Sequence, residues 1–207
     1  MSENEHYLAE PAHAISDAAL DTVFRKARTL RKWRDKPISD ALLMALYDLT
    51  RWGPTEFNTT PARFYFVVSH EAKARLEPLL TEGNRKNTAG AAATAIIGYD
   101  LDFHKTLIKL APHATALSEK LSIDPQRVTE IAIRNAGLQG GYFIAAARAL
   151  GLDCGPMIGF DNQAVDKEFF AGTNIKSFFL CNLGYGDAEG IKPRGARLDF
   201  DEACKIL

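Results

Sequence analysis

The chain has little of what marks the commonest catalytic and targeting classes. Its three cysteines, Cys154, Cys181 and Cys204, lie far apart and form no C-x-x-C pair, so neither a disulfide framework nor a zinc site is expected. They read as buried thiols. The five histidines, His6, His13, His70, His104 and His113, fall at no spacing that builds a metal site, and H-E-x-x-H, G-x-S-x-G and P-loop motifs are missing. Charge of one sign is missing too. A formal net charge of −1 over 207 residues argues against a nucleic-acid or polyphosphate surface as the main business of the protein. Apolar runs are broken by Gly, Arg or Asn well short of the roughly 18 residues a membrane span needs, and residues 1–10 are polar and acidic, unlike a signal peptide. The expectation is a compact cytoplasmic protein with no metal, membrane or nucleic-acid partner.

The periodicities that are present describe a mixed α and β chain. Residues 1–15 show no clear period and are expected to form an N-terminal arm, whereas residues 16–207 contain no linker, repeat or low-complexity tract and read as one domain. Ser16 precedes a helix face of Leu20, Val23, Phe24 and Ala27 that ends near Arg28. Ser39 starts a second helix, whose stripe of Leu42, Leu43, Leu46 and Leu49 is stopped by Gly53-Pro54. Residues 64–68, 93–99 and 177–182 have the β-branched and aromatic density of strands, and residues 71–80 read as a helix. Arg197-Leu198-Asp199-Phe200 alternates as a strand would.

The longest element is predicted over residues 125–150, from the capping residue Asp124 and Pro125 to the stop at Gly151. Gly137, Gly140 and Gly141 inside it each cost about 1 kcal/mol relative to Ala, which suggests close packing by another backbone. Its apolar residues, among them Ile131, Ile133, Leu138, Tyr142 and Phe143, run nearly all round, as in a buried helix. A second copy of the chain is the economical cover, so a homodimer with this helix at or near the interface is expected; a central helix of a monomeric core is the alternative.

Several segments carry groups suited to a planar, phosphorylated ligand. Gly155-Pro156-Met157-Ile158-Gly159-Phe160-Asp161 closes an apolar segment and opens a helix that Asp161 can cap, presenting backbone N–H groups at the junction. Taken alone it is also ordinary loop punctuation. Arg28-Thr29-Leu30-Arg31 offers two guanidinium forks around a hydroxyl, and Arg194 and Arg197 offer two more; paired arginines match a phosphate. Trp52-Gly53-Pro54-Thr55 with Asn58, and Asn84-Arg85-Lys86-Asn87, read as polar turns. Gly184-Tyr185-Gly186 is not a dinucleotide fingerprint, because Gly190 comes one residue too late and Ile191-Lys192-Pro193-Arg194-Gly195 cannot open a helix.

In this order the segments resemble those of FMN-dependent nitroreductases, from about Asp17 to the C-terminus: Arg28-Thr29-x-Arg31-x-Trp33, Trp52-Gly53-Pro54-Thr55-x-x-Asn58-x-x-Pro61-Ala62-Arg63, Gly83-Asn84, Gly155-Pro156-Met157-x-Gly159-Phe160-Asp161, Gly184-Tyr185-Gly186-Asp187 and Arg197-Leu198. The branch most similar is that of the malonic semialdehyde reductase of pyrimidine degradation, through the Gly-Pro-Met segment, Val165-Asp166-x-x-Phe169-Phe170-Ala171-Gly172 and Asn182-x-Gly184-Tyr185-Gly186-Asp187. The resemblance implies an α+β nitroreductase fold, with a central mixed or antiparallel sheet flanked by helices, in an intertwined homodimer with FMN at its interface.

By the same resemblance, Arg28, Thr29 and Arg31 hold the phosphate and ribityl end, with Arg194 nearby and Arg197 closing over the phosphate. Asn84 meets the polar edge of the isoalloxazine. Pro156, Met157, Ile158 and Gly159 lie along the ring, with a backbone N–H of Ile158 or Gly159 directed at N5, and Pro54, Thr55 and Asn58 come from the partner. No side chain acts as the catalytic group, since the flavin carries the hydride. Three positions depart from the pattern: Ala27 and Asn87 stand where relatives carry Arg and Lys, and Ile158 replaces an acidic residue.

The implied activity is NAD(P)H-dependent, with NADH or NADPH as co-substrate, ping-pong hydride transfer through N5 and a small-molecule acceptor. Malonic semialdehyde, reduced to 3-hydroxypropionate, is the expected acceptor, for which Arg63, Arg85 and Lys86 are the candidate anchors. The alternatives are a general nitro or quinone reductase, with Ile158, Phe103 and Phe160 as an apolar slot, and a flavin-binding protein without turnover.

Overall fold

The computed structural model of the chain describes residues 14–207. Of the expected N-terminal arm, residues 1–13 lie outside the described part. Helix α1 (Asp17–Leu20) is capped by Ser16, whose hydroxyl accepts from the Ala19 N–H at 3.2 Å, and then loosens into a π-type turn, Asp21–Arg25, short of the expected end near Arg28. Ser39 caps α2 (Asp40–Thr50) in the same way, through the Leu42 N–H. Strand β1 (Ala62–Val67) follows, then α3 (His70–Leu76), a 3-10 turn at Glu77–Leu79, and α4 (Glu82–Thr88). Pro78 ends the regular helix that was expected to reach residue 80. Helix α4 stands where the polar run of residues 84–87 predicted a turn. Its polar side chains face water on one side and neighbouring carbonyls on the other, so no apolar stripe announced it.

Strand β2 (Ala93–Asp100) leads to the short helices α5 (Leu107–Leu110) and α6 (Thr115–Ser122), then α7 (Pro125–Ala149), β3 (Asp153–Met157), α8 (Asn162–Phe169) and β4 (Ile175–Gly184). The sheet order is β1-β2-β4-β3 with every named pair antiparallel. Pro156, which has no N–H for a ladder, is tolerated because β3 is an edge strand.

Alternation along the strands makes three layers. Ala95 and Ile97 of β2, with Cys181 and Leu183 of β4, face Leu46 of α2 and Phe143 and Ala147 of α7. Ile96 and Leu180 point the other way, onto Leu76, Val165 and Phe170. A third cluster, including Phe103, Leu107 and Ile131, fills the space between α5, α6 and the first half of α7.

Helix α7 differs from its expected burial. Val128, Ala132, Ala136, Phe143 and Ala147 are buried, but Ile133, Leu138 and Tyr142 are open to solvent in the single chain. Its glycines also play unequal parts. A Cβ on Gly140 would stand 2.6 Å from the Phe179 ring, so the close neighbour there is an aromatic side chain of the same chain rather than another backbone, whereas Gly141 has open space. Two further expectations are corrected near the C-terminus. Residues 191–199 pair with no strand among the described residues, and a capping box between Asp199 and Glu202 opens α9 (Phe200–Ala203) in place of the expected strand. Cys154 and Cys181 are buried as expected, but Cys204, just past α9, is exposed, with no described residue packed over this tail.

Candidate functional site

The segment from Arg28 to Trp33 has no regular structure of its own and is held by the sheet edge. Thr29 bridges Cys154 in parallel, the Leu30 N–H donates to the Cys154 carbonyl at 3.0 Å, and Trp33 bridges Gly186. The Arg34 N–H donates to the Tyr185 carbonyl at 2.8 Å, and the Trp33 indole N–H to that of Asn87 at 2.8 Å. A Cβ on Gly155 would lie 2.8 Å from the Leu30 carbonyl oxygen, so this approach requires glycine. The Asn182-to-Asp187 run thus has a positioning role. Asn182, buried, accepts from the Thr94 hydroxyl at 2.7 Å and donates to that of Thr88 at 3.1 Å, tying α4 to the sheet.

This anchoring forms one wall of a cavity of about 460 Å³. Among the described residues, six cationic side chains line it, Arg28, Arg31, Arg148, Lys192, Arg194 and Arg197, together with Thr29 and Ala27 and no carboxylate. The sequence-predicted residues Arg28, Thr29, Arg31, Arg194 and Arg197 are therefore brought together from both ends of the chain. Part of their donor capacity fastens the C-terminal segment over the cavity. Arg28 donates to the Lys192 carbonyl, and Arg194 to the carbonyls of Arg25 at 2.7 Å and Ala27 at 3.0 Å. Arg197 binds the Gly195 and Ala196 carbonyls at 3.0 and 2.9 Å. Sequence reasoning missed Arg148 and Lys192. Arg148 in the last turn of the long helix reads as an ordinary C-terminal helix cation, and Lys192 as part of a charged loop.

From Cys154 the same strand runs through Pro156 and Met157 to Ile158 and Gly159. The five steps from Cys154 to Gly159 span about 17 Å at roughly 3.3 Å per residue. The Gly159 carbonyl accepts three bonds, from the Thr81 N–H and hydroxyl at 3.0 Å each and from the Asn84 amide at 2.9 Å. Asn84 is thus beside the segment, clamped to its backbone. The Asp161 N–H is fixed on the Leu79 carbonyl at 2.9 Å, and the Asp161 carboxylate caps α8 through the Ala164 N–H at 3.0 Å, as its position in the sequence predicts. Among the described residues, neither the Ile158 nor the Gly159 N–H finds an acceptor in the protein. The Ile158 side chain is 79% exposed.

Pro54, Thr55 and Asn58 are not part of this assembly within one chain. They precede β1, the opposite edge of the sheet from β3, three strand spacings or about 14 Å away. There the Thr55 hydroxyl accepts from the Thr60 N–H at 3.2 Å, Asn58 donates to the Leu110 carbonyl at 2.9 Å, and the Glu56 N–H donates to Asn135 on α7 at 2.7 Å. Phe57, Asn58 and Thr60 hold φ values of 50°, 55° and 39°, in the left-handed region that side chains seldom adopt.

The expected substrate groups fare unevenly. Arg63 is committed to Asp100 at 2.6 Å across β1 and β2. Arg85 donates to the carbonyls of Leu80 at 2.9 Å and Pro78 at 3.1 Å, while Lys86 makes only an exposed contact of 3.7 Å with Glu82. Phe103 is buried in the cluster under α5 and Phe160 in the core beside β4, so neither lines an apolar slot with Ile158. Beneath the site, hydrogen bonding to Cys154 and then burial hold the Cys181 thiol well above the usual thiol range.

The nitroreductase family model matches residues 24–185. A protein of Stenotrophomonas maltophilia, provisionally named NADH dehydrogenase/NAD(P)H nitroreductase, is 59% identical over 197 residues, covering 94% of this chain and 99% of that one. A protein of Leptothrix cholodnii with the same provisional name is 51% identical over 195 residues, with 94% and 99% covered. Among solved structures, a provisionally named nitroreductase of Exiguobacterium sibiricum in complex with FMN superposes with a TM-score of 0.79 at 17% identity, covering 95% of this chain and all of that one. One from Bacillus subtilis has a TM-score of 0.79 at 21% identity, covering 93% and 100%. These structures share the fold.

Proposed function

Because the chain belongs to the nitroreductase family, we propose that it is a cytoplasmic, homodimeric NAD(P)H oxidoreductase dependent on FMN, and that its acceptor is malonic semialdehyde, reduced to 3-hydroxypropionate. The observation that supports this best is the cationic cavity joined by a single strand to two N–H groups without acceptors, at Ile158 and Gly159. The residues present fit the cofactor: the cavity has the charge and donor set for a phosphate, and the 156–159 edge supplies fixed dipoles for an electron-rich ring.

When bound, FMN would supply two-electron redox chemistry between NADH or NADPH and the acceptor. The chain's own contribution is orientation. Arg28, Thr29, Arg31, Arg194 and Arg197 anchor the phosphate end. Pro156 and Met157 would flank the ring, and the clamp from Thr81 and Asn84 on the Gly159 carbonyl fixes the segment whose Ile158 and Gly159 N–H groups, without an acceptor among the described residues, would favour negative charge on it.

Pro54, Thr55 and Asn58 complete the site from a second copy. Supporting this, the single chain exposes Met44, Tyr47, Trp52, Leu138 and Tyr142, an apolar extent that monomers seldom leave open. The carboxylate of the acceptor calls for a cation, and α4 places Lys86 two residues from Asn84, with Arg85 held more tightly between them.

Steady-state assays with NADPH test the acceptor. The reading expects a higher kcat/KM for malonic semialdehyde than for simple nitroaromatics, and a selective loss of the first in Lys86→Ala of about threefold to tenfold, as for one exposed charge-assisted contact. Faster reduction of nitroaromatics by the wild type replaces this acceptor with a general nitro or quinone reductase activity.

A further inference from the structure

Among the cations of the cavity, Arg148 is held differently from the others. It comes from the last turn of α7, so its backbone is set by the packing of a 25-residue helix rather than by the irregular segments that carry Arg28, Arg31, Arg194 and Arg197. One terminal nitrogen, Nη1, donates to the Val23 carbonyl at 3.0 Å, which fixes the plane of the guanidinium. Nε is buried and has no hydrogen-bond acceptor among the described residues. Among the described residues no carboxylate pairs with Arg148, and the side chain lines a cavity whose five other charged groups are all positive.

A half-buried guanidinium with an unsatisfied N–H, no acidic partner and five cationic neighbours is electrostatically incomplete. The C-terminal end of α7 relieves part of this, because the helix dipole favours a cation there, but a dipole supplies no acceptor for the remaining donors. Nη2 makes no hydrogen bond to the described protein and is not among the buried polar atoms left without a partner, so it is the donor available at the cavity wall. Ala27, which contributes only a methyl group, lines the same cavity.

We propose that Arg148 is a ligand of the FMN phosphate, a rigid donor from the core helix that completes a site otherwise built from two irregular segments. The inference rests on the reading of the chain as an FMN enzyme and adds a residue to it. The ligand chemistry is that of a phosphate monoester dianion, for which a planar fork held in place by Val23 loses little freedom on binding.

The test is a titration of apo-protein with FMN and with riboflavin, followed by flavin fluorescence, for wild type, Arg148→Met and Arg148→Gln. The glutamine variant keeps an amide donor at about the position of Nε without the charge. Both variants are expected to raise the Kd for FMN by about 10- to 100-fold, the effect of one charge-assisted hydrogen bond, and to leave that for riboflavin unchanged. Inorganic phosphate is expected to raise the melting temperature of wild-type apo-protein and to raise that of Arg148→Gln less. A structural role for Arg148 would move both flavins alike. Equal weakening of FMN and riboflavin, or unchanged affinity for FMN, overturns the proposal while leaving the FMN reading intact. A wild type that binds neither flavin overturns both.

Discussion

At the scale of the residue, the cavity separates donors that recognise from donors that fasten. Arg28 and Arg194 tie the C-terminal segment to the 25–28 turn through main-chain carbonyls, so removing either loosens the wall as well as the ligand contact. Among the described residues, Arg197 hydrogen-bonds only its own segment. Arg197→Ala is therefore expected to weaken FMN about tenfold with little change in melting temperature, whereas Arg28→Ala lowers both; titration calorimetry beside thermal melts separates the two. Equal affinity of the wild type for FMN and riboflavin would remove the phosphate assignment altogether. The cysteines give a second residue-scale expectation. Cys154 and Cys181 are buried, with the Cys181 thiol held above its ordinary range, and Cys204 is exposed. Native protein should react with one equivalent of a thiol reagent and unfolded protein with three, read as absorbance of the released chromophore. Rapid reaction of all three in the native state would contradict the packing of β3 on β4.

At the scale of the element, α7 and the 155–161 segment organise the rest. Gly140→Leu drives a side chain into the Phe179 ring and is expected to destabilise the chain itself by about 1–3 kcal/mol in denaturant unfolding. Gly141→Leu meets open space in the single chain and should leave its stability nearly unchanged while lowering dimer content and flavin occupancy together. A monomer by sedimentation that is still saturated with FMN would refute the shared site. Asp161→Ala removes the cap of α8 and is expected to cost about 1 kcal/mol. Elements with a strong local signal were legible from sequence: Ser16, Ser39, Asp124 and Asp161 as caps, and β1, β2 and β4 from their β-branched and aromatic runs. Elements whose cause is tertiary were not. Helix α4 carries no apolar stripe, Arg197 to Phe200 alternates without a strand to pair with, and the role of Gly140 depends on a ring nearly 40 positions away. The candidate site followed the same rule. Its arginine pairs were visible as motifs, whereas Arg148 and Lys192 join them only through folding.

At the scale of the whole molecule, the single chain is an unfinished object. Among the described residues it has a cationic cavity lined by no carboxylate, two N–H groups without acceptors just past β3, a strained turn at the opposite sheet edge, and exposed apolar side chains on α2 and α7. On the proposed function, a flavin bound across a symmetric dimer would complete all four. The most direct measurement is the absorption spectrum of the purified protein before and after anaerobic addition of NADPH. The expected result is an oxidised flavin spectrum, stoichiometric with the chain, that bleaches on addition of the nucleotide and returns when an acceptor is supplied. A protein that takes up no flavin when FMN is offered, or whose flavin spectrum is unchanged by NADPH and by NADH, would contradict it.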